Sequence, residues 1–71
     1  MTVKIDEQVW EKIKSSPNGV ERAIALKYII GKTNNSYNRG ILHGFLLALT
    51  TDGVISNYEA ISILEQFYEE K

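Results

Sequence analysis

Residues 36–50 read SYNRGILHGFLLALT, and the fold turns on how this stretch is read. Gly40, Gly44 and Ala48 recur every four residues inside an otherwise bulky apolar segment, so on a helix they form one side-chain-poor stripe. A glycine in a helix interior costs about 1 kcal/mol relative to alanine. Two on one face therefore point to a close neighbour, either another helix of the same chain or a second copy. Phe45 to Leu49 run without a polar break, and a helix that is apolar nearly all round must be central or face a partner. Gly40, Gly44, Leu47 and Ala48 are accordingly the candidate helix-packing or dimer contact. Leu46, Leu47 and Trp10 add an apolar surplus that a small domain cannot easily turn inward, which favours a homodimer.

Working outward from this stretch, three punctuation marks separate four helices. Upstream, Asp6 can cap a first helix carrying Val9, Trp10 and Ile13 on one face, with Lys14 suited to its C-terminal end. Ser15-Ser16-Pro17-Asn18-Gly19 is a turn cluster, since proline fixes its own dihedral and asparagine–glycine accepts positive ones. A second helix from Val20 to Ile30 ends at Gly31. Its apolar positions Ala23, Ile24, Leu26, Tyr28 and Ile30 span more than one stripe, which suits neighbours on two sides. Ser36 is the expected N-cap of the third helix. Downstream, Thr51 to Ile55 leads into Ser56-Asn57-Tyr58-Glu59, a capping-box pattern in which serine and glutamate each satisfy a first-turn amide. The fourth helix runs to Glu69, with Ala60, Ile61, Ile63, Leu64, Phe67 and Tyr68 as its apolar face; Glu65, Gln66, Glu69, Glu70 and Lys71 stay in water. Only Thr2 to Ile5 alternates like a strand, and within this chain it has nothing to pair with, although it could pair with its own copy. The predicted fold is all-α: one small four-helix domain, residues 1–71, of two packed helical hairpins with a short N-terminal extended segment.

Composition sets the outer bounds. Seventy-one residues form one domain that buries a smaller share of its surface than an average domain, so its stability margin is thin. Small domains usually gain stability from disulfides, metals or association. With no cysteine and a single histidine, disulfides and a zinc cluster are out of reach, leaving association or regular helix packing. Eight basic and nine acidic side chains nearly cancel, so no long-range field draws the chain to nucleic acid or anionic lipid. The longest strongly apolar run, Ile41 to Leu49, is interrupted by His43 and Gly44 and is too short to span a bilayer. The N-terminus lacks the charged segment and apolar run of a secretory signal, so no membrane association and a cytoplasmic location are expected.

Two local patterns around Asp52 need weighing. Setting Gly53 at the sixth position of an EF-hand loop puts Asp52 fifth, Ile55 eighth and Glu59 twelfth, all in register. The first and third positions are then Ala48 and Thr50, so most of the negative charge is missing and calcium binding is not expected. The stretch also resembles helical domains of the tellurite-resistance type, whose helix hairpins turn on a similar aspartate–glycine and resume with a glutamate in the next helix. A glycine turn followed by a capped helix accounts for each of these residues on its own.

A basic, amide-rich cluster surrounds the second connection: Lys27, Lys32, Asn34, Asn35, Asn38, Arg39 and His43. Arg39 and His43 share a helix face, so with the loop lysines they could form a phosphate-contacting patch beside a helix N-terminus. A helix-turn-helix would need a tighter turn than Gly31 to Asn35 and a polar recognition helix, and Ile41 onward is apolar. Enzymatic chemistry finds no support. The serines sit mostly at turns and caps, the one histidine has no neighbouring acid in sequence, and no glycine loop cradles phosphate. No catalytic, cofactor or metal residues are assigned, and no cofactor is expected. The expected function is that of a small protein–protein interaction module, a homodimer acting as an adaptor or as an inhibitor of a partner protein. Its size suggests a small bacterial or phage protein. The alternative is a small nucleic-acid-binding regulator using Lys27, Lys32, Arg39 and His43.

Overall fold

The computed structural model describes residues 3–69. They form four helices, α1 (Glu7–Lys14), α2 (Gly19–Ile30), α3 (Ser36–Thr51) and α4 (Asn57–Glu69). Consecutive helices pack against one another, and α4 returns to the start of the chain through a Lys12–Glu59 ion pair of 2.7 Å. Each helix sends one seam inward at spacings of three and four. The seams are Val9 and Ile13; Ala23 and Leu26; Leu42, Leu46 and Leu49; and Ala60, Ile63 and Phe67. Val3 and Ile55, outside the helices, are buried in the same core.

The helix period decides which of two adjacent leucines is buried. Leu46 lies in register with Leu42 and Leu49 and is 1% exposed, while Leu47, about 100° further round, is 56% exposed. Trp10 is half-buried against the core. The expected surplus of Leu46, Leu47 and Trp10 therefore reduces to Leu47 and the part of Trp10 left open to solvent. On α4, Ile61 and Tyr68 belong to the exposed side rather than to the apolar seam.

The connections explain the helix boundaries. After α1, the Ser16 hydroxyl donates to the Ile13 carbonyl at 2.6 Å, and Asn18 takes the left-handed conformation, φ 58°. Gly19 then starts α2 directly against the end of α1, where a Cβ would run into the carbonyls of Ile13 and Lys14. At the end of α3, the Val54 N–H donates to Leu49 and the Gly53 N–H to Thr50, with Gly53 at φ 74°. This is a Schellman stop, and the left-handed residue it requires is the glycine. Asp52, in the same turn, pairs with Arg22 of α2 at 2.8 Å. Its carboxylate thus ties the two hairpins together. The capping box forms as expected: the Ser56 N–H donates to Glu59 at 2.8 Å and the Glu59 N–H to the Ser56 hydroxyl at 3.1 Å.

Three boundary expectations change. The N-cap of α3 is Asn35, whose side-chain oxygen accepts from the Asn38 N–H at 2.8 Å, and Ser36 is the first helical residue. Asp6 occupies the cap position of α1 without a side-chain cap bond. Thr2 lies outside the described residues, as do Glu70 and Lys71, and no strand occurs among those described. Instead, the Gln66 amide bonds both backbone groups of Lys4, accepting from its N–H and donating to its carbonyl, each at 2.8 Å. A side chain supplies the pairing that the alternating segment lacked, which takes Gln66 out of the fully wetted set.

Candidate interaction surface

The outer side of α2 arises from its sequence register. Ala23 and Leu26 face the core, which leaves Val20, Ile24 and Tyr28, each four residues from the next, along the opposite side. They are 61%, 64% and 65% exposed, an unbroken apolar line on one helix. Single exposed apolar residues are ordinary, but a contiguous row is not. Beside this row, α1 and α2 enclose an open cleft of about 320 Å³. Its floor is Trp10, Ala23 and Ile24, and its rim carries Glu7, Lys14 and Lys27. Ile24 belongs to both features, so row and cleft form one surface.

On α3 the four positions singled out from sequence, Gly40, Gly44, Leu47 and Ala48, are all exposed. A Cβ added at Gly40 or Gly44 would meet nothing within 4 Å. No other described helix therefore packs on Gly40 or Gly44. Ile41 and Leu47 flank it, both partly open to solvent.

The residues of the basic, amide-rich cluster make several separate contacts. Arg39 donates from Nε to the Asn34 side chain at 2.6 Å and lays its guanidinium over the Tyr68 ring of α4, 5.0 Å from the centroid. Asn34 in turn donates to the Tyr68 carbonyl at 3.0 Å. Asn38 donates to the Thr33 carbonyl at 2.8 Å. The amides thus fasten the α2–α3 connection to α4. Lys32 folds back over the Tyr28 ring at 4.3 Å, Lys27 faces the α1–α2 cleft, and His43 is exposed on α3. Of the four residues, Arg39 is engaged in holding the fold together.

Among the described residues, Glu59 is the one group with a clear shift in acidity. The hydrogen bond from Lys12 holds its carboxyl below the usual glutamate range, followed by the bond from the Ser56 N–H. Both partners are structural, so this shift marks a helix cap and not a proton-transfer centre.

Comparison of the chain with family models, curated proteins and solved structures finds no match to any of them. The likeness of the Asp52 turn to tellurite-resistance domains accordingly rests on a capped helix alone.

Sequence reading missed the Val20–Ile24–Tyr28 row because it treated all the apolar residues of α2 as candidates for burial. The spacing of four was visible. What the sequence did not reveal was which side of so uniformly apolar a helix the core would claim.

Proposed function

We propose that the chain is a protein-binding module whose contact surface is the outer face of α2 and the adjoining α1–α2 cleft. The observation that carries this reading is the row Val20, Ile24 and Tyr28, three large apolar side chains each about two-thirds in solvent on one helix. Aromatic and aliphatic anchors of this kind supply most of the energy of protein interfaces. An adaptor, or an inhibitor that occludes a partner, needs such a surface and no chemistry of its own. The cytoplasm of a bacterium or of a phage-infected cell is the setting proposed for it, in keeping with the lack of cysteine.

The reading extends to a homodimer in which the outer faces of α3 from two copies meet. The open strip of Gly40, Gly44 and Ala48, bordered by Ile41 and Leu47, supports it, because missing side chains let helices approach closely. Sedimentation as a monomer at high micromolar concentration would remove the dimer from the proposal.

The test of the module is capture of a defined partner from bacterial lysate by the wild type and two variants. Ile24→Asp should abolish capture, whereas His43→Glu, on α3, should leave it intact. The nucleic-acid alternative predicts the reverse. It also requires duplex binding that weakens at least tenfold between about 50 and 200 mM salt, as counterion release demands.

A further inference from the structure

We infer that the α1–α2 cleft receives an amphipathic helix of a partner protein, one that inserts an apolar anchor over Trp10 and flanks it with carboxylates. The inference rests on the binding-module reading and specifies its partner. Three features of the cleft carry it. The first is shape: an open trough between two antiparallel helices, about 320 Å³, matches a side-chain anchor carried on a helix laid along it. The second is the apolar floor of Trp10, Ala23 and Ile24, which continues into Val20 and Tyr28 along α2. That continuation gives a docked helix further apolar contacts one turn to either side of the anchor. The third is charge. The rim holds two ammonium groups, Lys14 and Lys27, against one carboxylate, Glu7.

Charge also distinguishes between occupants. A second copy applied through the same face would set the lysine surplus against itself, since an isologous contact places one patch on its own image. An acidic helix neutralises the surplus, and a basic helix is repelled by it. Lys14 and Lys27 both have long alkyl stems, which can lie along the apolar floor while the ammonium groups reach the rim of the incoming helix.

Trp10 makes the cleft self-reporting, because it is the only tryptophan in the chain. The experiment presents the full chain to a displayed library of sixteen-residue amphipathic helices whose flanking positions are randomised. Enrichment of peptides with apolar residues at i, i+3 or i+4 and i+7 flanked by Asp or Glu is expected. The selected peptides should shift the Trp10 emission to the blue and lose at least tenfold in affinity to Lys14→Glu/Lys27→Glu, which should retain its helical circular dichroism because both side chains are exposed. Reselection on that variant should favour Lys and Arg flanks. The inference is overturned if no peptide is enriched, if the flanks come out basic or neutral, or if selected peptides bind the variant unchanged or leave the Trp10 emission unmoved. Self-association that Lys14→Glu/Lys27→Glu abolishes would assign the cleft to a second copy and would equally overturn it. Partner capture that depends on Ile24 but not on Lys14 or Lys27 would leave the module standing and remove only this partner class.

Discussion

The two open glycines of α3 supply a test in which stability and association give opposite signs. Gly40 and Gly44 lie in the interior of a sixteen-residue helix, and a Cβ at either would touch nothing within 4 Å. In the single chain, Gly40→Ala and Gly44→Ala therefore add no clash and remove only the excess backbone entropy of glycine. Each is expected to stabilise by about 0.8–1 kcal/mol, and the pair by about 2 kcal/mol. For a domain of this size, 1 kcal/mol corresponds to about 4–8 °C in Tm, so the double variant should melt roughly 8–16 °C higher. Thermal and urea denaturation followed by circular dichroism at low micromolar concentration, with sedimentation confirming a monomer, would measure this. If the α3 faces of two copies pack closely, the same alanines enter that contact and weaken association at high concentration. A monomeric double variant with an unchanged or lower Tm would refute the placement of these glycines on an open helical face. Gly19→Ala provides the contrast: its Cβ is driven into the carbonyls of Ile13 and Lys14, so α2 must move off α1, at a cost of about 3 kcal/mol. One substitution type thus has opposite effects at positions that look alike in sequence.

Two further expectations concern the polar contacts that set the helix arrangement. Glu59→Ala removes the capping box and the Lys12 pair together and should cost about 1 kcal/mol at neutral pH by urea unfolding. Because folding lowers the pKa of Glu59, its contribution is complete above the usual glutamate value of 4.5 and is lost as pH falls through the lower folded-state value. The difference between wild type and variant should therefore shrink below that pH, and a difference constant down to strong acid would contradict the assignment. Arg39→Ala breaks the bond to Asn34 and uncovers Tyr68, with an expected loss of about 1–2 kcal/mol that Arg39→Lys restores only in part. An unchanged denaturation midpoint for Arg39→Ala would show that this arginine is free for another role.

Several parts of the fold were legible because they depend on neighbours in sequence. The four helices, the Ser56–Glu59 capping box and the Gly53 stop all follow from side chains and backbone groups within five residues of one another. Asn35 in place of Ser36 as the α3 cap was less legible, since both residue types cap well and the choice depends on where the preceding loop releases the chain. The contacts of the basic cluster were not legible for a related reason. The sequence sets Lys27, Lys32, Arg39 and His43 around one connection, but Tyr68, distant in sequence, takes Arg39.

The sequence by itself determined four helices, their stops and one inward seam on most of them, because those features depend on a period of 3.6 and on local hydrogen bonds. Only the tertiary structure decided which glycine is crowded and which are open. It also decided that Leu46 turns inward while Leu47 stays out, and that Val20, Ile24 and Tyr28 face solvent beside the Trp10 cleft. The physical reason is that α2 and α3 are apolar on more than one side, so their own patterns allow several rotations about the helix axis. Contacts with α1 and α4, made by residues far along the chain, select one rotation and leave the rest of that apolar surface exposed.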